Sequence, residues 1–374
     1  MSEWSNVNLA SLLSFGNGKS RPLDSGNIPV YGGNGIMSYV SHFNYDHETI
    51  IIGRVGAYCG ATYYENKPIW ISDNALSAKA VGEHNTKYLY YLLKNLDLNQ
   101  FAEGSSHPLL TQKLLNSIET KTALNPNEQK SIASVLSSLD DKIDLLHCQN
   151  KTLESMAETL FRQWFIEESQ DEWPEATLNQ YVELNKSSID KKYNIKEIQY
   201  LDTGSLTKGK ISELQKILLS DAPSRAKRLV NNFDIIISTV RPDQCHYGIC
   251  IDPPSNLVVS TGFCVITSKS LSPFFIYYLI TSEDMTEYLH SIAEGSTSTY
   301  PSLKPEDIGN IPFLYPSEEK LKNFHDLVGS YWNKIHNNHK KIQTLETLRD
   351  TLLPKLMSGE VRVQYAEEKL ESVA

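Results

Sequence analysis

Between positions 126 and 168 the apolar residues fall at Ile132, Leu136, Leu139, Ile143, Leu146, Leu153, Ala157, Leu160 and Trp164, with Asn150 as a polar interruption. Steps of three and four residues are those of a helix that presents one seam. The same rhythm returns between 316 and 360, at Leu321, Phe324, Val328, Tyr331, Ile335, Ile342, Leu345 and Leu352, with Asn338 and Arg349 interrupting. A mean step near 3.5 sustained this long predicts coiled-coil helices. About 40 residues at 1.5 Å each gives rods of roughly 60 Å. Both stretches open with proline followed by acidic residues, as helix starts prefer. Elsewhere the period is shorter. β-Branched runs at 49–52 and 234–239, punctuated by Gly32-Gly33-Asn34-Gly35 and Asp252-Pro253-Pro254, predict strands and turns, with helices at 87–94 and 273–280. The fold class expected is α+β.

The chain is written twice. Trp4 with Leu9 reappears as Trp173 with Leu178, and Ile50-Ile51-Ile52 as Ile235-Ile236-Ile237. Tyr90-Tyr91-Leu92 returns as Tyr277-Tyr278-Leu279, and Glu103-Gly104-Ser105 as Glu294-Gly295-Ser296. Pro126, Glu128 and Lys130 return as Pro316, Glu318 and Lys320, and Leu153-Glu154 with Leu160 as Leu345-Glu346 with Leu352. Single matches arise by chance, but a series in one order marks a tandem duplication. The expected organisation is a mixed part at 1–125, a helix at 126–168, a second mixed part at 169–315, a second helix at 316–360 and a tail at 361–374. Two rods in one chain pair most economically with each other. Asparagines in the seam cost stability and fix register. In the repeat, Asn150 aligns with Ile342 and Leu146 with Asn338, so the interruptions are staggered.

Composition narrows the class without naming it. A chain of 374 residues with 40% hydrophobic and 21% charged side chains suits a soluble protein of two or more domains. No window approaches the roughly 20 apolar residues of a membrane span, and the N-terminus lacks a secretory n-region. Five scattered cysteines form no CxxC pair, which fits a reducing cytoplasm. The net charge of −10 argues at first against nucleic acid. DNA responds to local fields rather than to bulk charge, so that argument is weak.

The segment Pro126-Asn127-Glu128-Gln129-Lys130-Ser131-Ile132-Ala133, continued to Leu139-Asp140-Asp141-Lys142-Ile143-Asp144, resembles the central conserved region of the specificity subunits of type I restriction–modification enzymes. Phe161-Arg162-Gln163-Trp164-Phe165-Ile166-Glu167 is similar to the end of that region. Leu352-Leu353-Pro354-Lys355-Leu356-Met357-Ser358-Gly359-Glu360-Val361 is similar to the family's C-terminal close. The second copy departs from the first in carrying Glu319 where the first has Gln129.

The resemblance implies two target-recognition domains separated by two long helices that form an antiparallel intramolecular coiled coil. Each domain would read one half of a bipartite, asymmetric site in double-stranded DNA. The helices would set the gap and seat two methyltransferase subunits, with restriction subunits joining them. S-adenosylmethionine, ATP and Mg would belong to those partners, and this chain would carry no cofactor. Half-sites one helical turn apart, about 34–36 Å, need readers on a stiff spacer. Unequal lengths of the mixed parts, with most of the excess before the second Ile-rich run, imply unlike half-sites.

Base edges are read by Arg, Lys, Asn, Gln, Ser and Thr, and phosphates attract Arg and Lys. In the first mixed part the candidates are Arg21, Asn34, Arg54, Tyr58, Ser105, Ser106 and His107. In the second they are Lys208, Lys210, Arg225, Lys227, Arg228, Arg241, Gln244, His246, Thr297, Thr299 and Tyr300. Candidates for partner contact are Glu128, Gln129, Phe161, Trp164, Leu353 and Leu356. Tyr88, Tyr90 and Tyr91 sit among leucines at helical spacing and read as core. Trp164-Phe165 reads as a partner or inter-domain contact, and His336 with His339 as a solvated face.

Enzyme readings fail on missing residues. Asp252-Pro253-Pro254-Ser255 lacks the aromatic that a base-flipping adenine methyltransferase stacks on its target, and no Phe-x-Gly-x-Gly loop accompanies it. Gly18-Lys19-Ser20 imitates a phosphate-binding loop, yet Leu13 stands where that loop needs glycine. Pro242-Asp243 has no Glu-x-Lys nearby to complete a nuclease site. A scaffold that uses only its coiled coil fits the acidity, but not two divergent loop-rich domains.

Overall fold

The structure is a computed structural model that describes residues 4–104, 107–170, 172–190, 193–296 and 300–363. Two compact units divide it. The first comprises residues 1–146 and 341–374, and the second residues 147–340, so each takes part of both long helices.

In the first unit the Ile-rich run forms the strand Thr49–Gly53, with Ile50, Ile51 and Ile52 fully buried. It is a central strand covered on both faces, which is why its apolar run is continuous rather than alternating. Its antiparallel sheet has the order Leu13–Asn17, Ala75–Ala80, Thr49–Gly53, Thr62–Glu65. A three-stranded sheet of Gly35–Val40, Ile28–Gly32 and Trp70–Ile71 adjoins it. Helix Thr86–Asn95 starts where the Asn85 side chain accepts from Tyr88 N–H. Tyr88 and Tyr91 are buried in the core, as their spacing predicts.

The second unit repeats the main sheet in the same order: Val182–Leu184, Phe263–Ser268, Ile235–Ser238, Tyr247–Ile249. The extra sequence ahead of the Ile-rich strand builds a four-stranded sheet where the first unit has three strands. Its order is Gln215–Leu218, Glu197–Leu201, Leu257–Ser260, Ala226–Leu229. The same insertion supplies the hairpin of Leu206–Thr207 and Lys210–Ile211. Helices Pro273–Thr281 and Glu283–Glu294 follow, each capped by a serine side chain. Asp252-Pro253-Pro254 is a turn, held to the C-terminal helix by Lys340 (2.9 Å) and His336 (3.5 Å).

The predicted rods are one helix of 37 residues, Pro126–Arg162, and one of 41 residues, Glu318–Ser358. The first ends in a π-helical turn at Gln163–Glu167. Its start is fixed by the Asn125 side chain, which accepts from the N–H groups of Asn127 (2.8 Å) and Glu128 (3.3 Å). Within the first unit, Ile143 and Leu146 pack on Ile342 and Leu345, and Arg349 donates to Asp140 at 2.9 Å. Within the second unit, Asn338 Nδ2 donates to Asn150 Oδ1 at 2.8 Å, and Phe161 meets Phe324 at 6.1 Å between ring centroids. Numbers rise on one helix as they fall on the other, so the pairing is antiparallel. The stagger of the repeat therefore brings the two asparagines together and leaves their counterparts, Leu146 and Ile342, as an apolar layer.

The seam differs from expectation at its ends. Phe161, Phe165 and Trp332 are buried where Leu160, Trp164 and Tyr331 were expected to lead. A helix that meets a domain core as well as its partner helix buries a wider face than a two-stranded seam, and the 3.5-residue count no longer identifies it. Phe165 accordingly packs inside the second unit, and Trp164 lies half-buried against the same core. No helix of the described residues is long and apolar enough to cross a membrane.

Candidate nucleic-acid interface

In the first unit the candidate residues gather where the main sheet ends in turns. After strand Thr49–Gly53 the chain enters a 3-10 turn, Gly56–Tyr58. Arg54 N–H donates to Asn74 O (3.0 Å), and Gly56 N–H donates to Pro108 O (3.1 Å), which ties the loop of His107 to this turn. An open cleft lies between the turn and the glycine hairpin. It is lined by Gly32, Gly33, Asn34, Gly35, Ile36, Met37, Val55, Tyr58 and Asn74. Tyr58 and Met37 are both 51% exposed at its rim. The packing needs the glycines: a Cβ on Gly53 would lie 2.2 Å from Tyr58 O. The Nε of Arg54 is buried without a hydrogen-bond partner among the described residues. Asn34, Arg54, Tyr58 and His107 thus share one end of the unit. Arg21 is exposed in the irregular stretch between strands Leu13–Asn17 and Ile28–Gly32. Met37 follows the glycine hairpin in sequence, Asn74 joins the cleft through tertiary contact, and no sequence signal marks either. Ser105 and Ser106 lie outside the described residues.

In the second unit the equivalent turn is Pro242–Gln244, flanked by Arg241 and Cys245. The Arg241 guanidinium stacks over the Tyr300 ring, 4.6 Å from its centroid. Gln244 Oε1 lies 3.0 Å from His246 Nε2, and His246 Nδ1 lies 2.6 Å from Leu206 O. Lys208 N–H donates to Cys245 O (2.9 Å), so the inserted hairpin meets the turn. Arg241, Gln244, His246, Tyr300 and Lys208 therefore come together from three separate stretches of chain. Lys210 instead faces Glu154 of the central helix, whose carboxyl burial pushes up and Lys210 pulls down. Arg225, Lys227 and Arg228 sit on or beside edge strand Ala226–Leu229, with Arg228 Nη1 at 3.5 Å from Ser188 Oγ. Thr297 and Thr299 lie outside the described residues.

The residues expected to meet partners are turned inward. Glu128 accepts from the Trp4 indole (3.1 Å). Gln129 accepts from Asn85 N–H (2.9 Å) and donates to Ala123 O (2.8 Å). Leu353 and Leu356 belong to the core of the first unit and Phe161 to that of the second. Trp164 is half-buried, its ring 6.2 Å from Phe324. These side chains fasten the long helices to their own domains. Helix starts favour acids, but for Glu128 the indole bond is the specific reason.

A model of the type I restriction modification DNA specificity domain matches residues 1–155. The chain is 31% identical over 309 residues to the MjaIX specificity subunit of a type I restriction enzyme from Methanocaldococcus jannaschii, covering 75% of this chain and 70% of that one. It is 26% identical over 303 residues to the MjaVIII specificity subunit of the same organism, covering 74% and 70%. Among solved structures, the type I restriction-modification S subunit from M. genitalium has the same fold, with a TM-score of 0.66 at 19% identity over 95% of this chain and 96% of that one. Duplication, fold and relatives agree, and the chain belongs to the specificity-subunit family of type I restriction enzymes.

Proposed function

We propose that this chain reads a bipartite, asymmetric DNA site, one half with each unit, and takes no part in the chemistry itself. Two methyltransferase subunits dock along the long helices and modify adenines within the site. Restriction subunits join them, and S-adenosylmethionine, ATP and Mg are bound by these partners. The assembly works in the cytoplasm. The length of the paired helices sets the gap between the half-sites.

What carries this reading is one scaffold with two different tips. Both units have the same main-sheet order, yet the turn beyond the Ile-rich strand is Gly56-Ala57-Tyr58 in one and Arg241-Pro242-Asp243-Gln244 in the other. A shared frame with unlike polar tips is what two readers of unlike sequences require.

The test is an exchange of residues 169–315 for the equivalent part of another specificity subunit, in cells that carry the methyltransferase partner, followed by mapping of methylated adenines. The second half-site should change while the first half-site and the gap persist. A change in both halves would show that the units do not read separately.

A further inference from the structure

The turns beyond the two Ile-rich strands share a series of backbone hydrogen bonds at equivalent positions. Gly56 N–H donates to Pro108 O (3.1 Å) as Arg241 N–H donates to Pro301 O (3.0 Å). Cys59 N–H donates to Gly56 O (3.0 Å) as Gln244 N–H donates to Arg241 O (3.0 Å). Leu110 bonds Arg54 as Leu303 bonds Thr239, and the bridge Val55–Leu109 corresponds to Val240–Ser302. Position 56 is therefore position 241, and position 60 is position 245.

Both positions demand left-handed backbone. The first unit meets the demand with glycines, Gly56 at φ +74° and Gly60 at φ +89°. The second places Arg241 at φ +50° and Cys245 at φ +54°. A left-handed residue with a Cβ is strained, and glycine in the same turn shows that the fold does not need the side chain. Nor does packing require it. A Cβ at Gly56 would have nothing within 4 Å, and the Arg241 side chain is likewise exposed.

The guanidinium lies over the ring of Tyr300, itself 54% exposed. Among the described residues the guanidinium makes no hydrogen bond and no ion pair. Stacking on a ring holds the guanidinium plane while leaving its fork of N–H donors open. A strained backbone kept where a relaxed one is available points to a ligand for that fork. The rigid plane suits the paired acceptors O6 and N7 of guanine in the major groove.

We propose that Arg241, braced by Tyr300, is the specificity-determining residue for a guanine in the second half-site. This rests on the reading that each unit reads one half-site. A phosphate would need only charge, which a lysine supplies.

The experiment compares the wild-type chain with Arg241→Gly, Arg241→Lys and Tyr300→Leu, each co-expressed with its methyltransferase partner. Selection from duplexes randomised in the second half-site then gives the base preference at every position. Arg241→Gly should leave the melting temperature unchanged or raise it, because it restores the residue the turn prefers. It should lose preference for guanine at one position by roughly tenfold to a hundredfold. Arg241→Lys should relax the same position, and Tyr300→Leu should do so to a lesser degree. Uniform weakening with no change of preference, and a salt dependence shallower by about one, would mark a phosphate contact and overturn the proposal. A fall in melting temperature with Arg241→Gly would mark a structural role and overturn it as well. If exchanging residues 169–315 moves the half-site while Arg241→Gly changes no preference, this inference fails and the two-reader function stands. If the exchange moves nothing, the function itself fails.

Discussion

The long helices are rooted in the two units by different chemistry at equivalent positions. In the first unit Tyr91 Oη–H donates to Asp140 at 2.6 Å, and Arg349 donates to the same carboxylate at 2.9 Å. The repeat places Tyr278, Trp332 and Ala157 at those positions in the second unit. There Trp332 meets Tyr277 edge-on at 5.4 Å, and Phe324 meets Phe161, Trp164, Phe165 and Tyr278. One root is a charged network and the other an aromatic cluster. A charged network tolerates the loss of one member badly, because it strands the others. An aromatic cluster loses contacts in proportion to what is removed. The two units can thus respond differently to the same kind of change.

The sharpest way to break the comparison is Asp140→Ala. Arg349 and Asp140 have side-chain exposures of only 18% and 24%, so the substitution takes one of two carboxylates from a largely buried guanidinium, which keeps Asp350 at 2.9 Å, and leaves the Tyr91 hydroxyl without its acceptor. The expected loss is about 2–4 kcal/mol, read as faster hydrogen exchange in residues 126–146. Combining Tyr91→Phe, Asp140→Leu and Arg349→Leu should recover most of it, since a fully apolar set strands nothing. A single variant as stable as the wild type would show that the network contributes little and that the two roots are energetically alike.

A second comparison concerns the seam. The second unit has Asn150 against Asn338, both buried, while the first has Leu146 against Ile342. The asparagine pair is half satisfied, because Asn150 Nδ2 and Asn338 Oδ1 have no partner among the described residues. Asn150→Ile with Asn338→Leu would make the polar layer a copy of the apolar one. The double variant should gain about 1–2 kcal/mol in urea unfolding and lose discrimination in pairing, seen as dimers or mixed species in light scattering. Asn338→Leu alone should be destabilising, because it isolates Asn150. A double variant that is less stable than the wild type would contradict this view of the layer.

What could be read from the sequence follows the same division. The helices, the Ile-rich strands and the duplication were legible because they are periodic or repeated, and both signals survive substitution. The pairing of the helices could be inferred from one chain containing two seams. Contacts between distant stretches were not legible. Arg241 and Tyr300 are both visible as polar-loop residues, but nothing along the chain says that they stack. The left-handed backbone at Arg241 was hidden because glycine, its usual sign, is present only in the other copy. Glu128, Gln129, Leu353 and Leu356 were candidates for partner contact because a motif marks positions without saying which way they point. Their partners, Trp4, Asn85 and the core of the first unit, come from other parts of the chain.

The smallest expected effect lies beside the asparagine layer. Partial desolvation of an otherwise exposed residue, together with nearby His147 and His336, holds the His339 imidazole below its ordinary value. Asp252 bonds Lys340 and approaches His336, which adds charge of both signs at this point. A histidine with a depressed folded pKa takes up its proton more readily when unfolded. Its contribution to stability is therefore complete above about pH 6.5, the ordinary histidine value. It falls away as the pH drops below that value towards the folded one. Acidification from pH 7.5 to 5.5 should lower the melting temperature, with exchange protection lost first in residues 331–340. His339→Gln should flatten that pH dependence while leaving Asp140→Ala as damaging as before. If His339→Gln leaves the acid slope unchanged, the sensitivity resides in the other histidines and the seam of the second unit is no more pH-responsive at this position than its apolar counterpart.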